Sequence, residues 1–184
     1  IDDGSGMDEE NARRAMLRHA TSKIREFDDL EHLTTRGFRG EALASIASVS
    51  RFEMLTRPAD QMAGVRLRAS GGKVESVEPT GTAPGTTIHV RDLFYNTPAR
   101  RKFLKSPGAE VQAAVHILTE QALSHPEVGV ACARDSEVRF DLPSGQDLES
   151  RIEDLLGGAV RGRLVPVEFE RGGLGVRGYV ARPE

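Results

Sequence analysis

Between residues 52 and 90 short stretches alternate apolar and polar side chains, and this constrains the fold more than any other feature. Phe52 and Met54 flank Glu53, and Val65, Leu67 and Ala69 alternate with Arg66 and Arg68. Gly71-Gly72 then marks a turn before Val74 to Val77. A period of two, broken by a Gly-Gly pair, is the pattern of a β-hairpin with one buried face. Thr86 to Val90 reads as a further strand. Residues 128–133 and 137–142 read as strands around Arg134–Ser136, and 163–170 and 174–180 as strands joined at Gly172-Gly173. Hairpins dominate, which predicts an α+β chain with a mostly antiparallel or mixed sheet.

Helical spacing lies between these strands. Residues 8–19 predict a helix with Asp8 as cap, Glu9 and Glu10 at its positive first turn, and Ala12, Ala15, Met16 and His19 on one face. A second helix is expected at about 41–49, with Leu43, Ile46, Ala47 and Val49 apolar. Thr97 reads as the cap of a helix that opens at Pro98. A longer helix is expected over about 109–124, with Val111, Val115, Leu118 and Ala122 in phase and Pro126 as its stop. Pro143-Ser144-Gly145 is the expected linker, followed by a short helix at 148–156 that stops at Gly157-Gly158.

Composition excludes several classes. The one cysteine, Cys132, cannot form an internal disulfide framework and reads as a core residue. Hydrophobic residues at 38% and charged ones at 29% fit a folded chain rather than a disordered one. No apolar run approaches the roughly 20 residues of a membrane helix. A net charge of −3 argues against a chain that coats nucleic acid or anionic membrane with its whole surface. The P-loop pattern and the Gly-x-Ser-x-Gly elbow are absent, and the five histidines show no metal-ligand spacing. The opening Ile1-Asp2-Asp3-Gly4-Ser5-Gly6 runs from an apolar residue straight into a turn. Ile1 is expected to end a strand whose body lies upstream, or to be a trimmed end.

Three glycine-bearing segments carry the chemical information. In Asp2-Asp3-Gly4-Ser5-Gly6, glycines two apart let a backbone approach a flat or charged ligand, and the adjacent carboxylate accepts hydrogen bonds from an amine. An acidic turn capping the next helix accounts for the same residues. In Gly37-Phe38-Arg39-Gly40-Glu41, glycines before a helix expose N–H groups at the positive end of its dipole, as a phosphate site requires. An ordinary glycine loop fits as well. Gly85-Thr86-Thr87 enters a strand and by itself is a turn.

In this order, and with Ala20-Thr21-Ser22-Lys23 between the first two, the segments resemble the ATP-binding superfamily of gyrase B, heat-shock chaperones, histidine kinases and MutL. The strings Arg18 to Ile24, Gly37 to Ile46 and Asp92-Leu93-Phe94-Tyr95-Asn96-Thr97-Pro98-Ala99-Arg100-Arg101-Lys102-Phe103-Leu104 resemble the MutL family of DNA mismatch-repair proteins. The resemblance implies a two-layer α/β sandwich of the GHKL type over residues 1–145. The start of a ribosomal-S5-like transducer domain is then expected over 146–184. It implies that Asp2 accepts the adenine amine, that Thr87 supports this contact through water, and that Gly4 and Gly6 pass beside base and sugar. Thr21, Ser22 and Lys23 would belong to a lid over the phosphates. Gly37, Phe38, Arg39, Gly40 and Glu41 would form the phosphate loop, with Arg39 facing phosphate or pairing with a carboxylate.

The superfamily's first motif, Glu-x-x-x-Asn, does not occur in the chain. In the family that Glu polarises the attacking water and that Asn holds Mg2+, so the resemblance implies ATP and Mg2+ as cofactors but leaves no catalytic residue and no metal ligand here. The chain alone is therefore expected to hydrolyse ATP only at background rates, even where the parent protein is a weak Mg2+-dependent ATPase. Arg100, Arg101, Lys102 and Lys105 form a basic cluster, which reads either as phosphate contact with DNA or as a solvated helix face. The further implied properties are weak non-specific DNA binding, the mismatch-recognition protein MutS as partner, a homodimer in the full-length protein, and a cytoplasmic, nucleoid-associated place in a bacterium with no membrane contact. A nucleotide-independent DNA- or protein-binding scaffold module is the alternative.

Overall fold

The computed structural model describes residues 1–17 and 41–183. They form two compact units, Ile1–Leu104 and Lys105–Glu184.

The first unit is built on a four-stranded antiparallel sheet. β1 (Arg51–Arg57), β2 (Gly64–Ser70), β3 (Lys73–Thr80) and β4 (Gly85–Arg91) lie in the order β3-β2-β1-β4. Its register follows from the alternation: Phe52, Met54 and Thr56 of β1 face the same side as Ala69, Leu67 and Val65 of β2. That side is buried. Met54 and Leu67 have no exposed surface, and burying a side chain of this size contributes about 2–3 kcal/mol. Pro79 falls on the edge strand β3, where a missing N–H costs no ladder bond. Gly71 and Gly72 both have positive φ, 56° and 84°, as a two-residue hairpin turn of the primed type demands.

Two short helices cover the apolar face. α1 (Glu9–Arg14) is capped by Asp8, whose carboxylate accepts from the Asn11 N–H at 2.8 Å, and it buries Ala12. It ends earlier than the expected 8–19. Met16 and Leu17 donate to Arg13 and Arg14 in the tighter i→i+3 pattern of a closing turn, and His19 lies outside the described residues. α2 (Ala42–Ser48) buries Ala44 and Ala47.

The last carbonyls of α2 and the turn after it are all satisfied by neighbours. Ser50 Oγ donates to Ile46, Gly72 N–H to Ala47, Asn96 Nδ2 to Ser48, and Phe94 N–H to Val49 at 2.7 Å. The string from Asp92 to Pro98 is therefore the clasp of the α2–β1 junction. Its tightness is visible in Asp92 and Phe94, whose φ values of 52° and 62° are strained for residues with side chains. α3 (Pro98–Arg101) follows. Thr97 sits at its cap position but does not cap: its φ of −132° and ψ of 71° turn the hydroxyl away, and Oγ1 is buried without a partner.

The second unit contains α4 (Pro107–Ser124), the hairpin β5 (Val130–Arg134) and β6 (Glu137–Leu142), α5 (Leu148–Leu156), one 3-10 turn at Gly157–Ala159, and the hairpin β7 (Leu164–Arg171) and β8 (Leu174–Ala181). α4 starts two residues before its expected position because Ser106 accepts from the Ala109 N–H and Pro107 suits the first turn. Ala122, Leu142 and Arg151 are the buried residues described in the second unit. Cys132 is half-buried rather than core, since β5 and β6 form a sheet of two strands.

Arg151 has no exposed surface. Its Nη2 donates to the carbonyls of Pro126 at 2.6 Å, Val128 at 2.9 Å and Pro143 at 2.9 Å. One guanidinium thus ties α5 to the chain on both sides of the β5–β6 hairpin. Gly145 N–H also donates to Glu127, so the stretch expected as a linker is bonded from two directions.

Candidate nucleotide site

The structure brings the first and third glycine segments together. Asp2 forms an antiparallel bridge with Thr86: its N–H donates to the Thr86 carbonyl at 2.8 Å and its carbonyl accepts from the Thr86 N–H at 3.1 Å. Ile1-Asp2 therefore lies along the free edge of β4. Opposed residues in such a pair project their side chains to one face, with β-carbons about 5 Å apart. The register of β4 identifies that face. Thr86 is opposite Thr56 and Ile88 opposite Met54, so Asp2 and Thr86 project to the helix-covered side.

Two glycines make this approach possible. Gly85 has φ 106°, and a β-carbon there would overlap the Asp2 carbonyl oxygen and lie 3.0 Å from Asp3 Cα. Gly6 has φ 66°, and a β-carbon there would overlap the Arg57 carbonyl and lie 2.8 Å from Pro58 N. Both positions need glycine for conformation and for space. Gly4 donates its N–H to Asp2 Oδ1 at 3.0 Å, which fixes the carboxylate against its own loop. Asp2 itself is exposed.

Thr56 joins the parts. It is fully buried. Its Oγ1 accepts from the Met7 N–H at 2.9 Å and lies 3.2 Å from the Gly85 carbonyl and 3.1 Å from Thr86 Oγ1. One hydroxyl of β1 thereby holds the end of the Asp2–Gly6 loop and the start of β4.

The remaining expected residues fall as follows. Thr87 is opposite Leu55 and projects to the other side of the sheet from Asp2. Thr21, Ser22, Lys23, Gly37, Phe38, Arg39 and Gly40 lie outside the described residues. Glu41 precedes α2 and accepts the Ser45 N–H through its carbonyl. Arg100, Arg101 and Lys102 are exposed at the end of the first unit, and Lys105, also exposed, opens the second. Among the described residues no group of three or more His, Cys, Asp or Glu is placed to hold a metal ion. Nor is any described helix long and apolar enough to cross a membrane.

Thr56 and Thr86 are not among the site residues expected from the sequence. Alternation held the signal: with Ile88 and Val90 facing inward, Thr86 must face inward too, in register with Thr56.

Behind this site, the other side of the sheet is charged. Glu53 accepts from Arg68 Nε at 2.9 Å, with Arg66 and Arg91 at 3.8 and 3.7 Å. The Arg68 hydrogen bond, aided by these guanidinium charges, holds the Glu53 carboxyl below its ordinary value.

An α/β sandwich with a glycine loop and a carboxylate at its sheet edge defines the GHKL class of ATPase domain, and solved structures agree. The Aquifex aeolicus MutL ATPase domain complexed with ADP is similar over 100% of this chain and 63% of that one, with TM-score 0.74 and 27% identity. An N-terminal domain of a DNA repair protein has this fold too, with TM-score 0.75 over 98% of this chain and 57% of that one at 22% identity. The chain is 47% identical to the DNA mismatch repair protein MutL of Symbiobacterium thermophilum over 99% of its length, and 48% identical to that of Geobacter sulfurreducens over 100%. Over its whole length it is thus similar to the MutL family. It spans 29% and 30% of the length of those two relatives. No family model matches it.

Proposed function

We propose that this chain binds the adenine nucleotide of an ATP-driven conformational switch in DNA mismatch repair. The observation that carries the reading is the Asp2–Thr86 bridge, which sets a carboxylate and a hydroxyl side by side on the covered face of the sheet. Asp2 accepts the exocyclic amine, and Thr86 supports it from the adjacent position. In this reading Thr86 takes the role that the family resemblance implied for Thr87, which projects to the other face of the sheet. Gly4 and Gly6 let the loop lie beside base and sugar. Thr21, Ser22 and Lys23 with Gly37, Phe38, Arg39, Gly40 and Glu41 supply the phosphate contacts. The ADP in the Aquifex aeolicus domain supports a nucleotide in this fold.

The residues present suit the base better than a metal. The exposed Asp2 carboxylate is an acceptor for an amine, while the described residues offer no cluster of carboxylates or imidazoles for Mg2+. Glu-x-x-x-Asn is also missing from the chain. In this reading ATP binds, the metal is held elsewhere in the full-length protein, and these 184 residues turn over no ATP. Residues 1–145 act as the ATP-binding domain and 146–184 as the start of the transducer. Arg100, Arg101, Lys102 and Lys105 touch DNA phosphates weakly and without sequence preference. The full-length protein works as a cytoplasmic homodimer with MutS.

Calorimetric titration with ADP tests the reading. The wild-type chain binds, and Asp2→Asn, which replaces an acceptor by a donor towards the amine, weakens binding by about tenfold or more. Equal affinity in both, or DNA binding with a steep salt slope and no nucleotide effect, defeats it in favour of a scaffold module.

A further inference from the structure

The geometry points to Thr56 as a specificity-determining positioning residue: a buried hydroxyl that sets the hydrogen-bond polarity of Thr86 and so selects adenine over guanine. The inference rests on the nucleotide site proposed above, and it concerns a residue that does not touch the ligand.

The argument is a count of protons. A hydroxyl has one proton and two lone pairs. Thr56 Oγ1 has three neighbours: the Met7 N–H at 2.9 Å, the Gly85 carbonyl at 3.2 Å and Thr86 Oγ1 at 3.1 Å. Met7 N–H only donates, so it takes one lone pair. The Gly85 carbonyl only accepts, so it takes the proton. The remaining lone pair must then be filled by the Thr86 proton. One arrangement satisfies all three contacts, and around the fully buried Thr56 the alternatives leave two oxygens facing each other without a proton.

The consequence falls on Thr86. Its proton is committed inward, so its oxygen offers only lone pairs to anything beside Asp2. The Asp2 carboxylate also only accepts. The pair is therefore acceptor-only. Adenine presents an amine at its six position and guanine a carbonyl. The amine finds two acceptors, while the carbonyl meets lone pairs and no donor. A rejection of this kind is strong because the mismatched groups remain unpaired. Were Thr86 free to rotate, it would donate to the carbonyl and the distinction would weaken.

The test compares ADP and GDP binding by calorimetry in the wild-type chain, Thr56→Val and Thr56→Ser, with amide exchange at Met7 followed by NMR without nucleotide. Valine keeps the volume and removes the hydroxyl, and serine keeps the hydroxyl. Wild type is expected to favour ADP by about tenfold or more, and Thr56→Val to cut that ratio about fivefold and speed Met7 exchange about tenfold. Thr56→Ser keeps both near wild type, which shows that the hydroxyl and not packing is responsible. An unchanged ADP-to-GDP ratio in Thr56→Val overturns the polarity argument, and unchanged Met7 exchange overturns the positioning role. If wild type binds neither nucleotide, the nucleotide-site reading fails and base selection with it. Met7 exchange still decides whether Thr56 holds the loop.

Discussion

The two units hold themselves together by opposite means. The first closes an apolar sheet face under two helices, with Met54 and Leu67 fully buried, and then uses polar groups to fasten its loops. The second has a polar group at its centre, since Arg151 is the largest of its fully buried side chains. Its terminal hairpin has one apolar face, where Val165, Val167 and Phe169 of β7 stand in register with Val180, Gly178 and Val176 of β8. Among the described residues nothing covers most of that face, with Phe169 57% and Val176 58% exposed. The contrast separates two tasks. A unit that presents a ligand site needs backbone placed to within fractions of an ångström, and a filled sheet face gives that rigidity. A hairpin with an open apolar face is at best marginal by itself, so it contributes little stability of its own.

The strongest way to break this comparison is to disturb the first unit where no side chain fits. Gly85→Ala combines a positive φ with overlap on the Asp2 carbonyl. We expect it to destabilise the chain by about 3 kcal/mol or more, measured by denaturant unfolding, because strain and displacement each contribute about 1–3 kcal/mol. It also opens the Asp2–Thr86 bridge and abolishes nucleotide binding. A stable Gly85→Ala chain would show that the edge pairing is dispensable.

The next largest effect belongs to the second unit. Arg151→Met removes a buried charge but leaves three carbonyls without their donor. Apolar replacement of buried ions is often neutral. Here the acceptors remain and lose their partner, at about 1–3 kcal/mol for each one that water does not reach. A loss of about 2–3 kcal/mol in unfolding free energy is expected, confined to the transition of the second unit. No loss would mean that α5 is held by packing, like the helices of the first unit.

The alternation over 52–90 and the glycine pair at 71–72 made the first sheet legible, because burial on one face leaves a period of two in the chain. The Asp8 cap was legible for the same kind of reason, a local rule with a local signal. What escaped was set by tertiary partners. Thr97 lies where a cap belongs, yet the clasp of Phe94 and Asn96 onto α2 fixes its dihedrals otherwise. Arg151 falls within the helix expected at 148–156, but nothing near it in sequence announces three carbonyls. At the candidate site, the glycine loop and the Gly-Thr-Thr entry were visible separately. That Asp2 meets Thr86 follows from an edge pairing across more than 80 residues, which no window along the chain can show.

A smaller effect sharpens the contrast from the bare hairpin. Val176→Thr exchanges a methyl for a hydroxyl at a position already 58% exposed. Stability should change by less than about 0.5 kcal/mol, as at other exposed sites without partners. The same exchange at Val65, which is 8% exposed and part of the first core, should cost clearly more. Similar losses at both positions would show that the face of β7 and β8 is covered in solution.

The smallest effect comes from the charged side of the first sheet, and pH isolates it. Glu53 is held below its ordinary carboxylate value, first by the hydrogen bond from Arg68 and then by the nearby charges of Arg68, Arg66 and Arg91. Its folded pKa is thus lower than its unfolded one. The folded state favours the ionised form, so the contribution is fully present above the ordinary value of 4.5 and is lost as pH falls through the depressed folded value. Glu53→Gln should therefore narrow its stability difference from wild type as the pH is lowered below 4.5. The arginines around it are well exposed, and pairs with water on one side are weakened by solvent and salt, so added salt should shrink the difference at neutral pH as well. The sheet register places the network directly behind the core positions Phe52 and Met54. A difference that ignored both pH and salt would mean that Glu53 acts by packing its stem against the sheet rather than by its charge.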